Sequence, residues 1–206
     1  MSTLLHQLKV LDFSTLLPGP FASLYLADLG AQVVHIESPT RTDLMRVLPP
    51  FADGQATAHS YLNRNKQSIS LDLKDPANIA MIKARICEYD IVIEQFRPGV
   101  MQRLGLDYAS LSQINPKLIY CSITGYGQTG AYQDKAGHDI NYVALSGIMG
   151  HSGRKNHLPP ALGIQMADVA GGSFHAVMGI LAAVIERYSS GLGQHIDISM
   201  TDCVVS

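Results

Sequence analysis

Two residues whose side chains exchange protons, His138 and Asp168, each stand where a loop runs into a predicted helix. His138 lies in Ala-Gly-His-Asp-Ile-Asn-Tyr (136–142), and Asp168 lies in Gln-Met-Ala-Asp-Val-Ala-Gly-Gly (165–172). An imidazole and a carboxylate on either side of one substrate carbon can remove a proton from one face and return it to the other. Each residue also has a structural interpretation, because His138 could cap its helix and Asp is a favoured N-cap residue.

The composition is that of a globular chain. Its 206 residues are 47% apolar and 16% charged, which is enough for one large domain with a substantial core. The net charge of −2 gives no electrostatic reason to bind nucleic acid or a membrane surface. The cysteines are odd in number and fit neither a disulfide nor a zinc spacing, which indicates a reducing compartment; they are Cys87, Cys121 and Cys203.

Neither the start of the sequence nor its most apolar run suggests a membrane segment. The first ten residues lack the charged and apolar regions of a signal peptide, and the apolar run 176–185 is about half the length needed to span a bilayer. The histidines at 59, 151 and 157 lack the helical spacing and carboxylate neighbours of a metal site. We therefore expect a cytoplasmic protein with no membrane span, no nucleic-acid partner and no catalytic metal.

Predicted strands alternate with predicted helices, which favours an α/β fold with a mostly parallel sheet and helices on its faces. A helix is expected from Pro20 to Leu29, and Asp75-Pro76 should cap and begin another that runs to about Cys87. The stretch 38–58 is expected to be a long surface loop. The predicted strands are 9–13, 33–37, 68–71, 91–94, 118–122 and 194–199.

The last residues, Met200 to Ser206, are typical of the opening of another helix, although Val204 and Val205 could instead finish an edge strand. Because the chain stops there, we expect residues 1–206 to be one large domain of a longer architecture.

The familiar nucleotide-binding motifs are missing from the sequence. Gly19 is the single glycine between Phe13 and Phe21, whereas a dinucleotide fingerprint needs three, and no GxxxxGK[ST] loop occurs. The glycines at 125, 127 and 130 are interpreted as turn residues. The sequence also lacks a GxSxG nucleophile elbow.

A series of segments resembles the class III CoA-transferase family, also called CaiB/BaiF, in order and over essentially the whole chain. The segments are Val-Leu-Asp-Phe (10–13), Pro-Gly-Pro-Phe (18–21), Leu-Ala-Asp-Leu-Gly-Ala (26–31), Asn-Lys-Gln-Ser-Ile-Ser-Leu-Asp-Leu-Lys (65–74), Phe-Arg-Pro-Gly-Val-Met (96–101), Asn-Pro-Lys-Leu-Ile-Tyr (115–120), Thr-Gly-Tyr-Gly-Gln-Thr-Gly (124–130) and Arg-Tyr-Ser-Ser-Gly-Leu-Gly-Gln-His-Ile-Asp (187–197). The resemblance implies a Rossmann-like large domain, followed in the family by a smaller domain.

The resemblance implies one of two chemistries at Asp168. In the family's transferases the matching Asp attacks an acyl-CoA thioester, whereas in its α-methylacyl-CoA racemases it is an acid/base partnered by the histidine of an AGHDINY motif. That motif is intact at 136–142 and favours the racemase branch. We expect His138 and Asp168 to exchange a proton at the thioester α-carbon through an enolate, with an amide N–H at the start of the Asp168 helix binding the enolate oxygen.

The resemblance also implies a set of contacts to CoA, and no cofactor beyond the CoA part of the substrate. Arg and Lys suit such contacts because they bind phosphate groups as a fork or a point charge. The residues carried over are Leu71, Asp72, Leu73, Lys74, Gln95, Phe96, Arg97, Arg103, Gly137, Asp139, Asn141 and Tyr142.

Two departures from the family pattern bear on these expectations. Ser38 stands where many relatives have a CoA-binding Arg, so Arg41 or Arg46 would have to substitute. We also expect the family's small domain to be missing from residues 1–206, which would leave apolar surface exposed. We therefore expect a homodimer with weak CoA binding and low or absent activity, and a separate chain could supply that domain. The alternatives are a CoA-transferase with Asp168 as nucleophile, and a CoA-binding or inactive fragment.

Overall fold

The computed structural model describes residues 3–206. Strands alternate with helices along the whole of this range. The strands are β1 (Lys9–Asp12), β2 (Gln32–Glu37), β3 (Phe51–Ala52), β4 (Gln55–Ala56), β5 (Gln67–Ser70), β6 (Ile91–Glu94), β7 (Ile119–Thr124) and β8 (His195–Ser199). The α-helices are α1 (Pro18–Asp28), α2 (Thr57–Leu62), α3 (Pro76–Arg85), α4 (Val100–Leu104), α5 (Tyr108–Ser112), α6 (Asp139–Leu145), α7 (His175–Ser190) and α8 (Met200–Val205).

Shorter helical segments complete the chain. A π-helix, Ala167–Phe174, runs directly into α7, and 3₁₀ turns occur at Leu44–Arg46, Ile86–Glu88 and Ile148–His151. The π-helix matters for the site, because it carries one of the two predicted acid/base residues.

Six strands form one sheet in the order β5-β2-β1-β6-β7-β8, and every pairing in it is parallel. In the order in which its strands occur along the chain, the sheet is 3-2-1-4-5-6, the Rossmann arrangement. The connections diverge between β1 and β6, and ligands of such sheets bind in the crevice at that point, beyond the carboxyl ends of the strands. The predicted α/β fold class is confirmed.

Each face of the sheet is covered by its own hydrophobic core. On one face, alternate residues of the central strands pack against α1 and α7, with Val10, Ile93 and Ile180 among the fully buried side chains. On the other face, Leu11 and Val92 pack against α3, α4 and α5. Because successive side chains of a strand point to opposite faces and both faces are buried, the central strands are continuous apolar runs in the sequence.

The predicted elements match the structure closely where the local signal is strong. β6 has the predicted bounds, the side chain of Asp75 accepts the amide N–H of Ala77 and caps α3, and the chain ends in α8 and not in an edge strand. The stretch 38–58 was expected to be a loop throughout. It instead contains the β3–β4 hairpin, a 3₁₀ turn and the first residues of α2.

The helical run that includes α7 extends beyond the apolar run 176–185 at both ends. Ala167–Ser190 is 24 residues long, and by length and composition it could cross a membrane. One side of it packs on the sheet, as in the core helix of a globular protein, whereas Ile185 and Tyr188 on the other side are 70% and 83% exposed.

A buried ionic cluster lies under the start of α1. Asp12 at the end of β1 is fully buried, and its carboxylate lies 3.7 Å from the Lys66 ammonium and 3.4 Å from His35 Nδ1. The hydroxyls of Ser14 and Ser23 donate to the same carboxylate. Although burial alone would raise the pKa of Asp12, the neighbouring His35, Lys66 and Ser14 hold it well below its ordinary value.

We expect Asp12→Asn to lower the free energy of unfolding by about 3–5 kcal/mol, because Lys66 would remain buried without a counter-charge. Urea unfolding followed by circular dichroism measures this change. Glu88→Gln, which removes an exposed ion pair with Arg85, is the control and should leave the midpoint unchanged. Equal effects of the two substitutions would contradict the prediction.

Since the pKa of Asp12 is lowered in the folded state, its stabilisation is fully present above the ordinary value of 3.8 and is lost as the pH falls below it. The difference between wild type and Asp12→Asn should therefore shrink in acid.

Candidate functional site

The predicted site segments converge at one edge of the sheet because all six strands are parallel. The segment 71–74 follows β5, the segment 95–97 follows β6, and the segment 137–142 lies in the connection that follows β7. The segments 71–74 and 95–97 therefore begin at the same edge of the sheet, although they come from distant parts of the sequence.

His138 is the N-cap residue of α6, with an extended backbone and an exposed side chain. Its amide N–H donates to Asn141 Oδ1 at 2.9 Å, and the amide N–H of Asn141 donates to the His138 carbonyl at 2.8 Å. These two bonds fix the backbone of His138 at the helix start. The imidazole is left exposed to solvent.

Asp168 is not an N-cap, contrary to the interpretation that its residue type favours. It is the second residue of the π-helix, and the backbone before it, at Met166, is already helical. The amide N–H of Asp168 donates to Asp139 Oδ1 at 3.0 Å, so this hydrogen is engaged. The expectation that an amide at the start of this helix binds an enolate oxygen is therefore wrong for Asp168 itself.

Asp139 connects the two predicted acid/base residues. It follows His138 directly in α6, and its carboxylate holds the backbone of Asp168. Burial, together with the negative charge of Asp139, raises the pKa of Asp168 to about 7. Within the described residues His138 and Asp168 form no ion pair with each other.

Tyr142 and Gly137 bind to each other within the protein. The Tyr142 hydroxyl donates to the Gly137 carbonyl at 2.6 Å, and its ring meets the edge of Tyr126 with centroids 5.2 Å apart. Because Tyr142 is only 6% exposed, its side chain supports the loop before α6 and offers little surface to a ligand.

Gln95 joins the two sides of the crevice where the connections diverge. Its side-chain oxygen accepts the amide N–H of Gly19 at 3.0 Å, and its Nε2 donates to the Thr15 carbonyl at 2.6 Å. A Cβ atom on Gly19 would lie 2.7 Å from the Gln95 oxygen and closer still to Ser14, which is why this position requires glycine. Gln95 thus positions the β1–α1 loop.

The other predicted CoA contacts divide into packed and exposed side chains. Leu71, Leu73 and Phe96 lie against the core on one face of the sheet. The Asp72 carboxylate accepts the amide N–H of Lys74 at 3.0 Å, which shapes the turn after β5. The cationic side chains of the set all belong to exposed residues, namely Lys74, Arg97 and Arg103.

Of the two arginines considered as substitutes at Ser38, one is already paired. Arg46 donates two hydrogen bonds to the Glu37 carboxylate, at 2.8 and 2.6 Å, and these bonds lower the pKa of Glu37 to about 2 despite its partial burial. Arg41 is exposed, and in the described part of the chain its side chain makes no hydrogen bond or ion pair. Arg41 is therefore the candidate that remains free for a phosphate.

A polar cluster beside Arg97 was missed by the sequence analysis. Glu94 is buried, its carboxylate accepts the amide N–H of Phe96 at 2.8 Å, and Ser122 is its neighbour across the sheet. Burial raises the pKa of Glu94 to about 7. The Ser122 hydroxyl lies 3.0 Å from His195 Nε2, and these residues line a cavity of about 260 Å³. A glutamate that ends an apolar strand was the available signal.

Over residues 3–206 the structure groups no three His, Cys, Asp or Glu side chains so that they could hold a metal ion. The carboxyl group of Asp168 can transfer a proton or act as a nucleophile, and the exposed cations at 74, 97 and 103 can meet an anionic ligand.

Known proteins are similar to this chain over nearly its whole length. The sequence profile of CoA-transferase family III matches residues 5–206. The chain is 39% identical over 203 residues to human succinyl-CoA:glutarate CoA-transferase, covering 98% of this chain and 46% of that protein. It is 40% identical over 200 residues to human alpha-methylacyl-CoA racemase, covering 96% and 48% respectively.

The structures agree with the sequences. A CaiB/BaiF family protein from Brucella suis superposes with a TM-score of 0.93 at 38% identity, over 100% of this chain and 55% of that one. The chain spans about half the length of the curated relatives it matches. Since transferases and a racemase match about equally well, similarity alone does not choose between the two reactions.

We expect Asp139→Asn to lower the pKa of Asp168 from about 7, because the substitution removes a negative charge and keeps an oxygen that can accept the Asp168 amide. A carboxyl ¹³C NMR titration of Asp-labelled protein measures this pKa. Asp134→Asn, at an exposed position in the loop before α6, is the matched control and should have no effect. An unchanged Asp168 titration in Asp139→Asn would contradict the assigned cause.

Proposed function

The chain belongs to CoA-transferase family III, and from this premise we propose that it is an acyl-CoA racemase or epimerase of the α-methylacyl-CoA type. The reaction is a 1,1-proton transfer at the thioester α-carbon, and no cofactor is needed beyond the CoA part of the substrate. The observation that carries the proposal is the link through Asp139, which holds the backbone of Asp168 from the first residue of the helix that His138 caps.

The proposed mechanism uses the two side chains in opposite directions for the two epimers. One removes the α-proton to form an enolate, and the other returns a proton to the opposite face. A carboxyl group with a pKa of about 7 suits both roles, because both of its protonation states are populated near neutral pH. A nucleophilic role would instead favour a fully ionised carboxylate.

The proposed CoA site uses the exposed cations around the crevice. Lys74, Arg97 and Arg103 are solvent-exposed, so they can reach phosphate groups without breaking an internal ion pair. Arg41 is the proposed replacement for the arginine that many relatives have at position 38.

A CoA-transferase reaction, with Asp168 attacking the thioester carbonyl, is the second candidate. It is favoured by the 39% identity to human succinyl-CoA:glutarate CoA-transferase, which is close to the identity to the racemase. The two reactions differ in their products at Asp168, since only the transferase forms an acyl–carboxylate anhydride.

We expect a 2-methylacyl-CoA incubated with the protein in D₂O to gain deuterium at Cα, as measured by mass spectrometry. His138→Ala and Asp168→Ala should each slow this exchange by roughly 10²–10⁴-fold. Calorimetric binding of CoA to the same preparations is the control that separates lost chemistry from lost binding. Exchange that survives both substitutions would exclude the roles proposed for these residues. A hydroxylamine-trapped adduct at Asp168 without exchange would favour the transferase.

We further propose that a second copy of the chain covers the outer face of α7. Phe174, Met178, Ile185 and Tyr188 are 38–83% exposed, and together with the partly buried Leu181 they follow the alternating spacing of four and three residues found in helix–helix seams. Residues 176–185 carry no charge that would repel a second copy. A helix that is apolar on all sides is normally covered.

We expect light scattering to give a dimer for the wild-type chain and a monomer for Ile185→Glu, because the new charge would be buried in the seam. Glu186→Gln, at the next exposed position of the same helix, should remain dimeric. A monomeric wild type would refute this arrangement.

A further inference from the structure

The helix that carries Asp168 begins in an unusual form. Residues 167–174 form a π-helix, and the same helical run continues as α7. π-Helical turns are rare, and where they occur in α-helices they often mark functional sites. Their i→i+5 hydrogen bonds widen the turn. The width of the turn determines how far the preceding residues are rotated about the helix axis.

Two side chains bond to the carbonyls that the widened turn presents. Ser173 Oγ lies 3.0 Å from the Asp168 carbonyl oxygen and 2.8 Å from that of Pro18, and Ser173 is fully buried. His175 Nδ1 lies 2.7 Å from the carbonyl oxygen of Ala170. Both reach back five residues, which is the spacing of a π-turn. Ser173 therefore ties the backbone of Asp168 to the start of α1.

Close packing between Gly171 and α8 keeps the π-turn in place. A Cβ atom on Gly171 would lie 2.7 Å from the Met200 carbonyl oxygen and 2.8 Å from a methyl group of Val204. The π-turn is thus held between α8 on one side and the Pro18 loop on the other. A change in its width would therefore displace the residues before it, which include Asp168.

The orientation of Asp168 depends on this width. If the turn tightened by one residue to an α-helical form, the residues before it would rotate by about 100° relative to α7. Such a rotation would carry Asp168 away from the Asp139 carboxylate, which now lies 3.0 Å from its amide nitrogen.

We propose that Ser173 is a positioning residue that holds the π-turn and thereby directs Asp168 towards the helix capped by His138. The importance of that direction for catalysis rests on the proposed function, whereas the geometric role of Ser173 does not.

The test compares Ser173→Ala, which removes the hydroxyl, with Ser173→Cys, whose slightly larger thiol bonds only weakly. Ser146→Ala is the matched control, because Ser146 also donates to a helix carbonyl, that of Val143 at 3.0 Å, but at the end of α6. The readouts are the carboxyl ¹³C titration of Asp168 and the backbone amide spectrum of residues 167–174. Circular dichroism verifies folding, and if Ser173→Ala fails to fold, Ser173→Cys alone decides.

We expect the Asp168 titration midpoint to fall by about one pH unit or more in Ser173→Ala, by less in Ser173→Cys, and not at all in Ser146→Ala. Unchanged titration and unchanged amide shifts in a folded Ser173 variant would overturn the inference. If the wild type shows no α-proton exchange while the titration moves as expected, the proposed function fails and the role of Ser173 stands.

Discussion

The parallel pairing of all six strands is the constraint on which the site depends. It brings the carboxyl ends of β5, β6 and β7 to one edge, and the divergence of the connections at β1 and β6 opens a crevice there. Gln95 closes the base of that crevice by bonding both to Gly19 and to Thr15. A change in register at either strand would therefore move the loop that starts α1, which in turn contacts Ser173 through the Pro18 carbonyl.

At the site itself, the carboxylate of Asp139 has two effects on Asp168. Asp139 fixes the backbone of Asp168, and its charge makes the ionised form of that residue less stable. The same bond occupies the amide hydrogen that would otherwise face a developing oxyanion. Under the proposed reaction, stabilisation of an enolate would therefore have to come from other donors. Burial and, to a lesser extent, the charge of Asp139 raise the pKa of Asp168 to about 7, which suits an acid/base role.

The sequence predicts the sheet well because buried parallel strands are continuous apolar runs, and it locates α3 because Asp75-Pro76 is a strong local signal. It misses β3 and β4 because strands of two residues carry no periodicity. It leaves a cap open as the alternative to an acid/base role for Asp168, because residue preference cannot reveal that a π-helix has already begun. Arg46 looked free for CoA because its bond to Glu37 joins separate elements. Such pairings depend on tertiary contacts that a single sequence does not display.

Polar groups are buried on both faces of the sheet, and in each case they lie next to the crevice. Asp12, His35 and Lys66 lie beneath the start of α1, and Glu94 and Ser122 lie beside the loop of Phe96. Apolar residues of similar volume would often stabilise such positions as well or better, so stability alone does not explain the charges. What the polar groups add is direction, since a hydrogen bond fixes the orientation of a loop and apolar contact does not. The protein thus buries these charged and polar side chains where they orient the loops of the site.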